Sequence, residues 1–242
     1  MLALSPAPGK YCAGNAVDHL RKAATIAELD PAMAVFRGIT AEEEAATAVF
    51  HAVRRRRYVG AQHLKPRDHL QKNALLPFCH AVARLFAEAT EKLSLAPQLT
   101  IDGEGDQRRL DVWLNGEGLG LGKRRFAPVP PLHFSVSELP GPLLDFSEQM
   151  TAIATEAGSS TILSHLRQRA NVRNQLLYAS VEGMPAVSLH NFLELQEGRV
   201  RTLIIIYLLI DPYAEHQLFV SQALLAFLKM LERLPTDLDP FA

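Results

Sequence analysis

The segment ITAEEEAATAVFHAVRRRR, residues 39–57, constrains the fold of this chain more than any other stretch. Thr40 followed three residues later by Glu43 is a capping-box pattern, in which hydroxyl and carboxylate each bond a backbone N–H at a helix start. Glutamates in the first turn and Arg54 to Arg57 in the last turn complement the helix dipole. The apolar residues that recur at helical spacing and would face a core are Ala45, Val49, Ala52 and Val53.

Helical periodicity extends over most of the remaining sequence. The predicted helices are bounded by Pro, Gly and Asp residues, and they cover residues 11–29, 66–93, 145–158, 161–180, 188–210 and 213–234. Pro66 fits the first position of the helix predicted at 66–93, and Pro77 inside this helix predicts a kink or a break. Within the helix predicted at 188–210, the β-branched run Ile204 to Ile206 leaves a strand as an alternative.

Residues 97–134 have a different character, with short apolar runs separated by glycine-rich turns. Leu110, Val112 and Leu114 alternate with polar or aromatic residues, which is the periodicity of a strand. Asn115–Gly116 is a hairpin-turn signal. This region therefore predicts a β-hairpin or a three-stranded meander.

Together these patterns predict a mainly α protein, a helical bundle with the small β element inserted at about 97–134. We expect a single helical domain over residues 1–242. The insertion separates N-terminal helices within 11–95 from C-terminal helices within 145–234.

Composition and charge exclude several functional classes. The net charge of −1 provides no global field toward nucleic acid or an anionic membrane. The apolar run Leu203 to Ile210 is too short to span a bilayer, which needs about 20 residues. Cys12 and Cys79 are the two cysteines and lie far apart, as is typical of a reducing compartment, and the scattered histidines lack metal-ligand spacing. We expect a cytoplasmic protein without membrane contact, metal or cofactor.

A local excess of positive charge begins at the end of the helix predicted within residues 39–57. Arg54 to Arg57 are followed by Lys65, Arg67 and Lys72. Because cations are favoured at a helix C-terminus, the simplest interpretation is a solvated helix end. The alternative is a contact with nucleic acid, since basic runs of this kind mark binding patches in some proteins.

A second polar pattern lies within the predicted helix 161–180. Its basic face, at i, i+4 and i+8, consists of His165, Arg169 and Arg173. Asn174 and Tyr178 are i, i+4 neighbours beside it. Guanidinium groups bind phosphate bidentately and a phenol can donate to the same oxygen, so this face predicts a phosphate site. The alternative is structural, with Arg169 and Arg173 in ion pairs to Glu42, Glu43 or other acids.

The end of this helix resembles a known motif. The residues RNQLLYASVEGMP, 173–185, are similar to the R-N-x-x-x-H region of HEPN-type helical domains of the AbiV abortive-infection type, with Tyr178 in the place of the histidine. NAVDHLRKAATIAE followed by ITAEEEAATA is similar to the paired helices of that superfamily. PRDHLQKNA, residues 66–74, is similar to its charged segment. The β insertion is not part of the usual family pattern.

The resemblance implies an all-α fold, frequent dimerisation, and roles as ribonucleases or as components of toxin and phage-defence systems. It implies that Arg173 is the motif arginine and Asn174 its polar neighbour. Arg67 and His69 are further expected binding residues, with His165 and Arg169. Tyr178, whose unperturbed pKa is near ~10, is a poor acid–base group at neutral pH, so phosphate binding is expected and ribonuclease-like cleavage is left open.

Two functions are therefore compatible with the sequence. The first is a HEPN-like protein that binds RNA or nucleotide phosphate in phage defence or a stress response, as a homodimer, with Arg173, Asn174 and Tyr178 as the expected catalytic residues of its site. The second is a non-enzymatic scaffold for protein interaction or dimerisation, in which the arginines form structural ion pairs.

Overall fold

The fold is given by a computed structural model, which describes residues 5–92, 97–115, 117, 120, 122–137, 140–177, 189 and 191–232. The described chain is mainly helical and carries a small antiparallel sheet, which confirms the predicted fold class. The helices are α1 (Gly9–Ile26), α2 (Pro31–Arg55), α3 (His69–Lys92), α4 (Ser147–Glu156), α5 (Ile162–Leu177), α6 (Phe192–Ile210) and α7 (Leu218–Glu232). The strands are β1 (Pro97–Asp102), β2 (Arg109–Asn115) and β3 (Arg125–Phe126).

Helix α2 lies at the centre of the helical core and packs against α1, α3, α5 and α6. Its contact with α1 is the most extensive of these. Both helices bury alanines completely, and small side chains at a contact allow two helix axes to approach closely. The buried alanines are Ala13, Ala16 and Ala23 of α1 and Ala34, Ala41, Ala45, Ala46, Ala48 and Ala52 of α2.

The start of α2 differs from the prediction. The helix begins at Pro31, and the Asp30 carboxylate caps it by accepting a hydrogen bond of 3.0 Å from the Met33 N–H. The predicted capping box of Thr40 and Glu43 is wrong, because both residues lie in the interior of this longer helix. The Thr40 hydroxyl bonds a backbone carbonyl one turn earlier. Glu43 is therefore a buried side chain of the core and not a group of the first turn.

Helix α3 also starts later than predicted, at His69 instead of Pro66. The carboxylate of Asp68 accepts a hydrogen bond of 3.0 Å from the Gln71 N–H, which fixes the first turn. The predicted break at Pro77 does not occur, since the helix continues through it. The residues of its helically spaced apolar face are buried or pack against the core, namely Leu70, Ala74, Leu75, Phe78, Val82, Leu85 and Phe86.

The apolar run Leu203 to Ile210 is helical throughout and forms the C-terminal half of α6. The strand alternative for Ile204 to Ile206 is therefore wrong. Among the described helices, none combines the length and the apolar character needed to cross a bilayer. The predicted end of α5 near Gly183 and the end of α7 near Leu234 lie outside the described residues.

The sheet has the order β1-β2-β3, with both pairs antiparallel. In the first pair Leu99 lies opposite Val112, and in the second Leu114 lies opposite Phe126. The predicted tight turn at Asn115–Gly116 is wrong, because β3 begins only at Arg125 and the glycine-rich segment forms a longer connection between the strands. The core side of the sheet is anchored by Leu110, which is buried.

Two buried glutamines, Gln217 just before α7 and Gln222 within it, hold the proline-rich connector that leads from the sheet back to the helices. Gln217 accepts a hydrogen bond of 2.8 Å from the Leu132 N–H and donates one of 2.7 Å to the Leu209 carbonyl. Gln222 binds the connector a second time. It accepts a hydrogen bond of 2.9 Å from the Val136 N–H and donates to the carbonyls of Val136 and Leu144. The amide side chain, with donor and acceptor, therefore satisfies backbone groups that have left regular structure.

We expect Gln217→Leu to lower the free energy of unfolding by about 2–4 kcal/mol, because the leucine leaves a buried N–H and a buried C=O without partners. Urea denaturation followed by circular dichroism measures the change. The exposed Gln62→Leu is the control, and an equal effect of the two substitutions would contradict the role given to Gln217.

The contacts of the Asp145 carboxylate make the free energy of unfolding depend on pH. Its carboxylate accepts hydrogen bonds from Lys229 Nζ at 2.7 Å and from Ser147, and these hold the pKa of Asp145 well below its usual range. A lowered folded-state pKa contributes stability that is present above the unfolded-state value of about 3.9 and is lost as pH falls below it. Because the side chain is 34% exposed, solvent keeps the contribution below about 1 kcal/mol.

Asp145→Asn should therefore flatten the loss of melting temperature between about pH 4.5 and pH 2.5, relative to the wild type. Glu148→Gln, in the first turn of the α4 helix that follows Asp145, is the charge-matched control. Parallel acid profiles for wild type and Asp145→Asn would show that this carboxylate does not contribute.

Candidate functional site

A group of polar side chains is buried where α2, α3 and α6 meet. Burying charged groups is costly unless they are paired, so such a cluster is either a structural network or a site. We call it the polar cluster. It consists of Glu42 and Glu43 from α2, His69, Lys72 and Asn73 from α3, and Gln196 and Arg199 from α6.

Glu43 faces the first turn of α3. Its Oε2 lies 2.9 Å from His69 Nδ1 and 3.3 Å from Lys72 Nζ, and its Oε1 accepts a bond of 3.2 Å from Asn73 Nδ2. The three partners stand at i, i+3 and i+4 and share one face of α3. Lys72 is only 8% exposed, whereas 43% of the His69 side chain reaches the surface. The α3 side of the cluster thus opens to solvent at the imidazole.

Glu42 faces α6 instead, because adjacent residues of a helix point about 100° apart. Its Oε2 accepts a hydrogen bond of 2.9 Å from Gln196 Nε2 and lies 3.7 Å from Arg199 Nη1. Gln196 is fully buried and also donates to the Gly38 carbonyl at 2.9 Å. The two carboxylates therefore connect α2 to two different helices.

The contact between Glu43 and His69 has a chemical consequence. A carboxylate at Nδ1 favours a proton on that nitrogen, and the contact fixes the orientation of the imidazole ring. Lys72 beside it supplies a positive charge to the same carboxylate.

The structure brings together only some of the predicted site residues. His69 joins the cluster and Arg67 is exposed two residues before it. His165 is half-buried on α5, next to the buried Leu166. Helix α5 itself packs against α2 and α3, which are the helices that carry Glu43 and His69.

The remaining predicted residues of α5 lie outside the described part of the chain. This applies to the side chains of Arg169, Arg173 and Asn174 and to the whole of Tyr178. Their roles in phosphate binding, and the alternative ion pairs to the α2 glutamates, stay predictions.

Several residues of the cluster were missed by sequence reasoning, namely Asn73, Gln196 and Arg199 as partners of the α2 acids. One signal was available. If Asp30–Pro31 is taken as the start of α2, Glu42 and Glu43 fall in the middle of an alanine-rich buried helix, where a carboxylate needs a partner.

Positively charged side chains lie along the connection from α2 to α3. No acidic residue occurs between Glu44 and Asp68. We use the term basic strip for four exposed cations at the end of α2 and in the connection that are not held by Asp211, namely Arg54, Arg57, Lys65 and Arg67.

Two other arginines of the run are structural. Arg55 Nη2 lies 2.9 Å from Oδ1 of the buried Asp211, and Arg56 Nε donates to the Asp211 carbonyl at 2.8 Å. Asp211 is the C-terminal cap of α6, so this contact ties the ends of α2 and α6 together. The interpretation of the run as a solvated helix end therefore fits Arg54 and Arg57, whereas Arg55, although also exposed, is held by Asp211.

The basic strip runs back toward the cluster. Glu43 precedes Arg55 by three turns of α2, a distance of about 18 Å at 1.5 Å per residue. Because His69 contacts Glu43, residues 56–68 must return along α2 by this distance. The strip thus spans from the C-terminus of α2 to the exposed imidazole.

Among the described residues, no group of three or more His, Cys, Asp or Glu side chains is placed to hold a metal ion. Comparison with known proteins gives no match to a family model, a curated protein or a solved structure.

We expect a double-mutant cycle of Glu43→Gln and Lys72→Met to give a coupling energy of about 1–3 kcal/mol, because each single substitution leaves a buried partner without its counter-charge. Chemical denaturation of the four proteins measures it. The exposed pair Asp18 and Lys22 in α1 is the control, with an expected coupling below about 0.5 kcal/mol. Equal coupling in both pairs would contradict the burial argument.

Proposed function

We propose that this chain is a HEPN-like helical protein that binds RNA or nucleotide phosphates, in phage defence or a stress response. The ligand lies along the basic strip and reaches the polar cluster at His69. The observation that carries the proposal is the 2.9 Å contact between Glu43 and His69, which places an oriented and partly exposed imidazole at the end of the strip.

The basic strip supports binding of a polyanion. Its four cations are exposed and lie in a stretch of sequence without acidic residues. Lys and Arg contacts to phosphates supply most of the sequence-independent affinity for nucleic acid. Because the net charge of the chain is near zero, such affinity has to come from local groups of cations.

Helix α5 supports the same location. It packs against α2 and α3 and carries the motif residues Arg173 and Asn174 in sequence. Under this proposal, the basic face of Arg169 and Arg173 binds the phosphate near His69.

His69 replaces the motif histidine whose position is taken by Tyr178. In RNA cleavage its Nε2 accepts the proton of a 2′-hydroxyl while that oxygen forms a bond to phosphorus. The bond from phosphorus to the 5′ oxygen breaks, and the leaving oxygen takes a proton from solvent. The products are a cyclic phosphate and a 5′-hydroxyl, and the step needs no oxidant or cofactor.

A second candidate function, a non-enzymatic scaffold, is favoured by one observation. Both α2 carboxylates have cationic partners within the protein, Glu42 with Arg199 and Glu43 with Lys72. A network that satisfies itself holds helices together without a ligand.

Binding is tested with fluorescein-labelled single-stranded RNA in anisotropy titrations. We expect the triple substitution Arg54→Gln, Arg57→Gln and Lys65→Gln to weaken binding at least tenfold. It should reduce the slope of log affinity against log salt by about 2, or ~0.7 per lost phosphate contact. The matched control removes three exposed cations of the β insertion, by substitution of Arg108, Lys123 and Arg124 with Gln. Equal losses in the two triple variants would contradict the assignment to the strip.

Cleavage is tested separately with His69→Gln, whose melting temperature is measured in parallel. We expect it to lose RNA cleavage while it retains binding within about threefold. If the wild type binds RNA but cleaves none, the acid–base role of His69 is wrong and the binding function stands. If the wild type neither binds nor cleaves, the scaffold function is the correct one.

A further inference from the structure

The β insertion leaves an apolar strand at its edge. β1 is the first strand of the order β1-β2-β3, and among the described residues it pairs only with β2. Two large apolar side chains of this strand are exposed, Leu99 at 49% and Ile101 at 64%. Natural sheets protect such edges with charge, proline or a covering segment, because an open edge pairs with another strand.

The exposed side chains belong to the core face of the sheet. Leu99 lies opposite Val112 and Ile101 lies opposite Leu110, and directly opposite residues share a face. Leu110 is only 8% exposed and Val112 packs against the core. The apolar face of the sheet therefore continues past the helical body of the protein and ends uncovered on β1.

We propose that β1 pairs with β1 of a second copy of this chain, in antiparallel orientation, to give one continuous sheet of six strands. The twofold axis passes through Thr100, perpendicular to the sheet. This interface contains no residue of the polar cluster or the basic strip, so it is independent of the function proposed above.

The sequence of β1 is self-complementary in this register. A twofold axis perpendicular to a sheet keeps each face on its own side, so residues of the same parity must oppose each other. Centred on Thr100, Leu99 meets the partner's Ile101 and Gln98 meets the partner's Asp102. Apolar side chains thus face apolar ones, an amide faces a carboxylate, and no like charges are opposed.

The neighbouring register is less favourable. Centred on Leu99, the pairing would place Pro97 in the ladder opposite the partner's Ile101, and proline has no N–H to donate. The register at Thr100 leaves Pro97 at the end of the paired segment.

The short strand limits the strength of this contact. A standard stable interface uses about 20–30 residues on each side, far more than a six-residue strand supplies. We therefore expect a dimer that dissociates on dilution.

Sedimentation velocity of the full chain over a range of concentrations tests the proposal. We expect a reversible monomer–dimer equilibrium in the wild type and at least tenfold weaker association for Leu99→Lys and for Ile101→Glu. Both positions are about half or more exposed, so circular dichroism and melting temperature should stay unchanged. The control is Leu29→Lys, at a residue 88% exposed outside the sheet, which should leave association unchanged.

The register is tested by mixing the two variants. In the mixed dimer the Leu99→Lys position of one chain opposes the Ile101→Glu position of the other, and the second pair stays apolar. Association should recover in the mixture and in neither variant alone. A wild type that stays monomeric, a dimer that persists in both variants, or a mixture that fails to recover would each overturn the proposal.

Discussion

Two adjacent carboxylates buried in α2 impose the arrangement of the helices around them. Glu42 and Glu43 cannot be left without counter-charges in the core, and a helix directs neighbouring side chains to different sides. One carboxylate therefore requires cations and amides from α3, and the other requires them from α6. The alanine contact with α1 supplies the apolar burial, whereas the carboxylates specify which helix faces they meet.

The sequence predicts the helices and the inserted sheet because their periodicity is local. It fails at the start of α2 because the Thr40–Glu43 pattern is the same in a capping box and in a helix interior. Only Asp30–Pro31, ten residues earlier, distinguishes the two. The pairing within the cluster could not be predicted, since Glu42 and Gln196 are 154 residues apart and periodicity carries no information about such pairs. The roles of Gln217 and Gln222 are missed for the same reason.

The basic strip and the polar cluster have different physical characters although they are adjacent. The strip is exposed and lies in a stretch of sequence without acidic residues. The cluster is buried and internally paired, which gives its groups fixed positions. An oriented imidazole gains from such rigidity, because acid–base chemistry depends on geometry before it depends on pKa. The same pairing would serve equally well to hold three helices together, and the partly exposed His69 side chain is what favours the proposed site over a purely structural role.

The contacts of Gln217 and Gln222 with the connector affect the order in which this chain folds. Gln217 and Gln222 bond connector residues that precede them by 85 and 86 positions. Closing a loop of that length costs chain entropy before any contact repays it. The connector should therefore dock after the helical core has collapsed, so that these bonds contribute little to the folding rate and mainly slow unfolding. The β insertion would then be the part of the molecule that separates first under stress, with its core face newly exposed.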